Sequence, residues 1–361
     1  MTVSAESVTL LAFVGTRPEI IKNLAFCRAA ADLQGIRLLT FFTGQNYEAR
    51  MSNVMWEELG IPIERVNPRP IPTTPGEAAR SYLDFTLDII NEYRPQAIIS
   101  NADTDTSFYT ALAGAKAKVP VAHIEGGIRC EERLNPEEIN RRLADHLSTW
   151  VFTISQEDVE SLASEGFPRD HIFAVGDITL DALQIVLREH RISVTTGDYD
   201  VLTIHRQENT RDPKRLHAIL EGVRLGGCKT VFPIHPRTRD AIQRAGLDDV
   251  LKNAKNIECV TPRSYLEMIR LAAGCRKIIS DSGGFRREGY MLGKPVISLL
   301  WFVWFHQMNR LGFEFMADAN RDRLAQAIQT FNPQDPRPPL FGDGRAGAAM
   351  LKTIVAKLPS T

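Results

Sequence analysis

The most constraining feature of this chain is an alternation that runs along it twice. Short apolar, β-branched stretches are each followed by a longer stretch with helical periodicity. Stretches at 8–14, 38–42, 97–100, 119–124, 151–154 and 172–175 form a first series; 201–204, 230–233, 257–260, 277–280 and 295–299 form a second. A helix after each strand carries the chain back to the same end of the sheet, so the strands run parallel and both faces are covered. The expected class is therefore α/β, with two doubly wound, Rossmann-like domains facing a cleft. Its 361 residues suffice for about two domains. The strand signal pauses between 176 and 200, which divides the chain into 1–178 and 179–345, with a last helix over 346–361 able to pack back on the first domain. In such sheets ligands sit beyond the carboxyl ends of the strands, so chemistry is sought there.

The residue inventory removes several classes. Basic and acidic side chains nearly balance, 43 against 44, with no long run of one sign. That leaves no electrostatic footprint for nucleic acid or an anionic membrane, and any bound anion must be met locally. The longest apolar stretch, 296–305, is about half of what a bilayer span needs. The first residues lack the basic start of a signal peptide. Five scattered cysteines with no C-x-x-C spacing (Cys27, Cys130, Cys228, Cys259, Cys275) fit a reducing compartment. The expectation is a cytoplasmic protein without membrane or nucleic-acid partners. No H-x-x-x-H or H-E-x-x-H pair suggests a metal, and no Walker lysine or full G-x-G-x-x-G suggests ATP or a nicotinamide, so no cofactor is expected.

Three features carry chemistry. The first strand runs into GTRPEIIK at 15–22, where Arg17 and Lys22 bring two cations toward the positive end of a helix, as a phosphate grip requires. In SDSGGFRREGYMLGKPVI, at 280–297, Ser282 and the amides of Gly283 and Gly284 suit a diphosphate, and Glu288 lies further along the same helix, where it can accept from ribose hydroxyls. Finally, Asp103 and Glu125 follow successive strand stretches, and Glu137 and Glu138 follow in NPEEINRR. Alone, each reads better as a helix cap or a surface charge. Together they place several carboxylates at one sheet edge, which is what general acid and base catalysis uses. His205 in TIHRQEN and His235 in PIHPRTR end strands of the second series, whereas His146, His171, His190 and His217 lie in or beside helices.

Taken in order, GTRPEIIK, TGQNYEARM (43–51), ADT (102–104), HIEGGIR (123–129), PEEINRR (136–142), HRQEN (205–209), PIHPRTR and SDSGG through GKPV resemble the non-hydrolysing UDP-N-acetylglucosamine 2-epimerases, which share their two-domain fold with GT-B glycosyltransferases. The resemblance implies C2 epimerisation of a UDP-2-acetamidosugar, by default UDP-GlcNAc to UDP-ManNAc, through anti elimination of UDP to a 2-acetamidoglucal and re-addition. It implies catalytic roles for Asp103, Glu125, Glu137 and His205. Substrate contacts would come from Arg17, Lys22, Arg141, His235, Ser282, Gly283, Gly284 and Glu288. It also implies a homodimer.

The sequence departs from the family pattern at three places. Where the family continues with T-E-R-P-E, this chain has ISLLWFVWFHQMNRLGFE at 297–314; Arg286 and Arg287 precede Glu288 where Gln-Glu-Glu is usual; and Gly126 stands for a common alanine. Trp301, Phe302, Trp304 and Phe305 suit an apolar wall for a modified sugar, or equally core or dimer contact. The alternatives carried forward are a 2-epimerase of a modified UDP-2-acetamido-deoxyhexose, a hydrolysing relative, a GT-B glycosyltransferase and a non-catalytic UDP-sugar sensor.

Overall fold

Strands form where the apolar runs fall. The computed structural model describes residues 7–45, 55–70, 72–130, 132–303, 306–334 and 336–359. Contacts divide the chain into two units, 1–185 with 341–361, and 186–340. The first unit holds seven strands: β1 (Val8–Val14), β2 (Ile36–Phe42), β3 (Arg65–Val66), β4 (Ala97–Asn101), β5 (Val121–Ile124), β6 (Trp150–Thr153) and β7 (Ile172–Ala174). Their order is β3-β2-β1-β4-β5-β6-β7, every pairing parallel. The second unit orders β8 (Asp200–Thr203), β9 (Thr230–Pro233), β10 (Ile257–Val260), β11 (Ile278–Ser280), β12 (Val296–Ser298) and β13 (Glu314–Met316) as β10-β9-β8-β11-β12-β13, again parallel.

This is the doubly wound α/β architecture expected from the alternation. Sequence reading misses β3 and β13. Both are edge strands outside the apolar runs read as strands, β3 of only two residues and β13 of three with a glutamate at its head. Each sheet reverses its winding once, between β1 and β4 in the first unit and between β8 and β11 in the second. Loops leaving the two strands of such a switch point diverge and open a crevice at their carboxyl ends.

The cores are the inward faces of these strands and their helices. Leu11, Phe13, Phe41, Phe85 and Ile98 belong to one buried cluster, and Leu202, Ile219, Phe232 and Ile297 to another. Each fully buried side chain of this size stabilises by roughly 1.5–3 kcal/mol relative to exposure. No helix among the described residues is long and apolar enough to cross a membrane.

The last helix, Ala346–Lys357, packs on the helix Arg17–Asp32 in the first unit. Its start is held by Asp181, whose Oδ2 accepts from the Gly347 amide at 2.8 Å, while Oδ1 is buried without a partner. Burial raises this carboxyl from 3.8 to about 6, with the charges of Asp177 and Asp343 adding and the Gly347 and Ala346 amides opposing. A folded-state value above the unfolded one means that the fold binds the proton more tightly. The contribution of this group to stability is then full at low pH and is lost as pH rises from about 4 to about 6, by up to about 3 kcal/mol. In urea titrations at pH 4, 5, 6 and 7, Asp181→Asn should remove this portion of the pH slope; an unchanged slope refutes the assignment.

Candidate active site

In the first unit the site begins at the switch point. β1 ends against a crowded turn: a Cβ on Gly15 would lie 2.1 Å from Thr106 Oγ1 and 2.4 Å from Thr43 Oγ1, so only glycine lets the strand end there. Thr43 and Thr106 are themselves hydrogen-bonded at 2.6 Å, and Gln45 Oε1 accepts from the Thr106 amide. The helix that follows starts at Arg17, with Glu19 buried beneath it. Glu19 Oε2 accepts from the Gly15 and Thr16 amides, and Oε1 from Thr104 and Ser107 hydroxyls. Burial pushes its carboxyl above the ordinary range although the Thr104 hydroxyl, the Gly15 and Thr16 amides and the Lys22 charge oppose it. Glu19 thereby ties the turn after β1 to the turn after β4. Its signal was readable as the capping-box spacing Thr16-x-x-Glu19.

Lys22 is not an open cation. It is 4% exposed and its Nζ lies 2.8 Å from Glu125 Oε1, itself 6% exposed. Two neighbouring strands end in left-handed non-glycine residues, Ala102 (φ 69°) after β4 and Glu125 (φ 61°) after β5. Each costs roughly 1 kcal/mol or more and persists only where the surroundings impose it, a pattern that concentrates at functional sites. Here it turns the backbone at Asp103 and Glu125 away from the strand direction.

Asp103 pairs with the buried Arg141 of the helix Pro136–Leu147. In that helix Glu138 is the structural carboxylate. It is fully buried, with one oxygen at the Cys130 amide and Arg141 and the other at Arg142. Glu137 is only partly buried, and its amide is capped by Asn135. The adjacent glutamates thus have separate environments, and Glu137 keeps solvent access. Beneath the site, His123 and Asp145 are both 0% exposed and 2.7 Å apart. Sequence reading passed over His123, since burial cannot be told from one histidine in a strand.

The second unit repeats the logic. Asp281, 0% exposed after β11, accepts from the backbone amides of His205 and Arg206 and from Asn209, and His205 Nδ1 lies 3.1 Å away. Burial pushes this carboxyl up, but those bonds and the His205 charge prevail and hold it below the ordinary range. His205 is about half exposed. The helix Gly283–Met291 has Ser282 as its cap, with Oγ accepting from the Phe285 amide. A Cβ on Gly283 or Gly284 would meet no protein atom within 4 Å, so packing does not demand glycine there, and the amide surface stays open.

Glu288 is buried and accepts from Tyr265 Oη at 2.9 Å; burial first, then the Glu288 charge, puts the Tyr265 hydroxyl well above its ordinary range. Arg286 is 2% exposed and bound to Glu314 and Ser298, which makes it part of the scaffold. His235 caps the helix Pro236–Arg244, its Nδ1 accepting from the Arg237 amide. Trp301 is 55% exposed, with Arg215 stacked 4.9 Å from its ring centre. Residues 46–51 of the TGQ segment, and Trp304 and Phe305, lie outside the described residues.

A family model described as UDP-N-acetylglucosamine 2-epimerase matches residues 28–355. The chain is 31% identical to a UDP-N-acetylglucosamine 2-epimerase of Methanocaldococcus jannaschii, over 94% of this chain and 97% of that one. It is also 31% identical to a UDP-2,3-diacetamido-2,3-dideoxy-D-glucuronate 2-epimerase of Pseudomonas aeruginosa, over 97% and 99%. Among solved structures, the Methanocaldococcus jannaschii UDP-GlcNAc 2-epimerase in complex with UDP-GlcNAc and UDP superposes with a TM-score of 0.87 at 30% identity, covering 97% of this chain and all of that one.

Proposed function

Since the chain belongs to the UDP-N-acetylglucosamine 2-epimerase family, we propose that it inverts C2 of a UDP-2-acetamidosugar by eliminating and re-adding UDP. The observation that carries this reading is the set Asp103, Glu125 and Glu137. These carboxylates are delivered by two successive strand ends and the next helix of one unit, with Lys22 and Arg141 buried against two of them. Elimination needs a base for a weakly acidic C2 hydrogen, and re-addition needs an acid on the opposite face. One carboxylate cannot serve both faces, and a glycosyltransferase normally needs only one base. In the second unit the open amides at Gly283 and Gly284, Ser282, Glu288 and the half-exposed His205 suit a nucleoside diphosphate leaving group, whose growing charge such donors stabilise. Arg17 and His235 complete the proposed contacts, and the protein acts as a cytoplasmic homodimer, which light scattering tests for the assembly.

Incubation with UDP-GlcNAc and with modified UDP-2-acetamidosugars in deuterated buffer tests the reaction. The expected result is deuterium at C2 together with the inverted epimer. UDP binding without exchange would leave a sensor or transferase, and free sugar as sole product would mean water captures the intermediate. The panel includes modified sugars because a diacetamido-glucuronate 2-epimerase is as similar as a UDP-GlcNAc 2-epimerase, and because aromatic Trp301 and Phe302 lie in the divergent segment.

Gly284→Ala separates nucleotide binding from stability. Its methyl meets no protein atom, and alanine in a helix is favoured over glycine by about 0.5–1 kcal/mol. The variant should melt no lower than the parent yet bind UDP at least tenfold more weakly by calorimetry. Unchanged UDP affinity would remove this turn from the nucleotide site.

A further inference from the structure

The three carboxylates proposed for proton transfer lie on three segments, and one buried side chain reaches all of them. His123 sits on β5 two residues before Glu125. Its Nδ1 is 2.7 Å from Asp145 Oδ1 on the helix that carries Glu137, and its Nε2 is 2.7 Å from the carbonyl oxygen of Ala102, the residue before Asp103. The other oxygen of Asp145 takes Arg129 at 2.8 Å and the Gly127 amide at 3.2 Å.

A carbonyl oxygen has no hydrogen to give, so a bond at Nε2 requires a hydrogen there. Asp145 is likewise an acceptor: burial alone would push its carboxyl up, but His123 and Arg129 hold it below the ordinary range. A neutral ring could satisfy only one of these acceptors and would set a lone pair against the other at 2.7 Å. Distances of 2.7 Å at both nitrogens match charge-assisted bonds. Beyond Asp145 the charges run on through Arg129 to Glu165, which also takes Arg142 and His146.

We propose that His123 is a buried imidazolium and a positioning residue, which locks the segments bearing Asp103, Glu125 and Glu137 into one geometry. The role rests on the reading of those carboxylates given above. The clasp fixes the strained positions: the Ala102 carbonyl is held by His123 and its amide donates to the Ile124 carbonyl at 3.0 Å, while Gly127, just beyond Glu125, is held by Asp145. Gly126 packs tightly beside it: a Cβ there would stand 2.1 Å from Val151 Cγ1 and 2.3 Å from Asp145 Oδ1.

The test uses the full chain labelled with 15N-histidine. At pH 7.5 the His123 signals, identified by their loss in His123→Gln, should show both ring nitrogens protonated. In Asp145→Asn they should revert to one protonated nitrogen. A neutral ring in the parent overturns the proposal whatever the substrate proves to be. In kinetics, His123→Gln should lower kcat about 100-fold with KM within threefold, the cost of an ångström-scale misplacement of reacting groups. A folded His123→Gln with kcat within threefold of the parent overturns the positioning role. If the parent turns over no UDP-2-acetamidosugar, the proposed function fails, while the spectrum still decides the charge on the ring.

Discussion

Glu125→Gln should lower kcat by about 10²–10⁴-fold and reduce solvent-deuterium exchange at C2 in proportion, with KM little changed. The range is that of a lost general acid or base. The amide keeps the shape and can still accept from Lys22, so the proton-transfer role is removed while the backbone turn stays. Stability should fall as well, because Lys22 is 4% exposed and loses its countercharge. Breaking a buried pair outright costs about 3–5 kcal/mol. The isosteric amide should cost less, and thermal melting would read it as a drop of several degrees. Lys22→Met supplies the comparison for stability alone: it strands Glu125 in turn and should also lower the melting temperature. Exchange at C2 within tenfold of the parent in a folded Glu125→Gln would remove Glu125 from the catalytic set.

Asp281→Ala should be the most damaging change in the second unit. Its fully buried carboxylate gathers the amides of His205 and Arg206, the Asn209 side chain and His205 Nδ1 into one node. Each donor left unsatisfied in the interior costs about 1–3 kcal/mol, so the variant should lose several kcal/mol and His205 its fixed position. We expect KM for the UDP-sugar to rise at least thirtyfold. Because the folded carboxyl lies below its unfolded value of 3.8, its stabilisation is present above that value and disappears as pH falls through the lower folded one. The deficit of Asp281→Ala should therefore be large at pH 7 and shrink in strong acid. UDP affinity within threefold of the parent by calorimetry would refute the node's role in binding.

The fold was legible because most of its strands fall on short apolar runs: 8–14, 230–233 and 257–260 read from sequence coincide with β1, β9 and β10. The two-residue β3 and three-residue β13 carry no pattern of their own and exist because a neighbouring strand offers an edge. The proposed site residues were legible as types at strand ends, but their partners were not. Nothing near Lys22 in sequence announces Glu125, more than a hundred positions away, and His123 and Asp145 meet only because β5 and the following helix pack together. Charge compensation is a property of three-dimensional neighbours. A sequence shows which cations and carboxylates exist, and only the packed chain shows which are already spent on each other.

Residues 341–361 belong with 1–185, so the intervening unit is an insertion within the first. A ribosome delivers all of 186–340 before the helix that covers Arg17–Asp32 emerges. The half that is begun first must wait, with an apolar flank uncovered, until synthesis of the other has ended, and that interval is when the nascent chain is most exposed to misassociation.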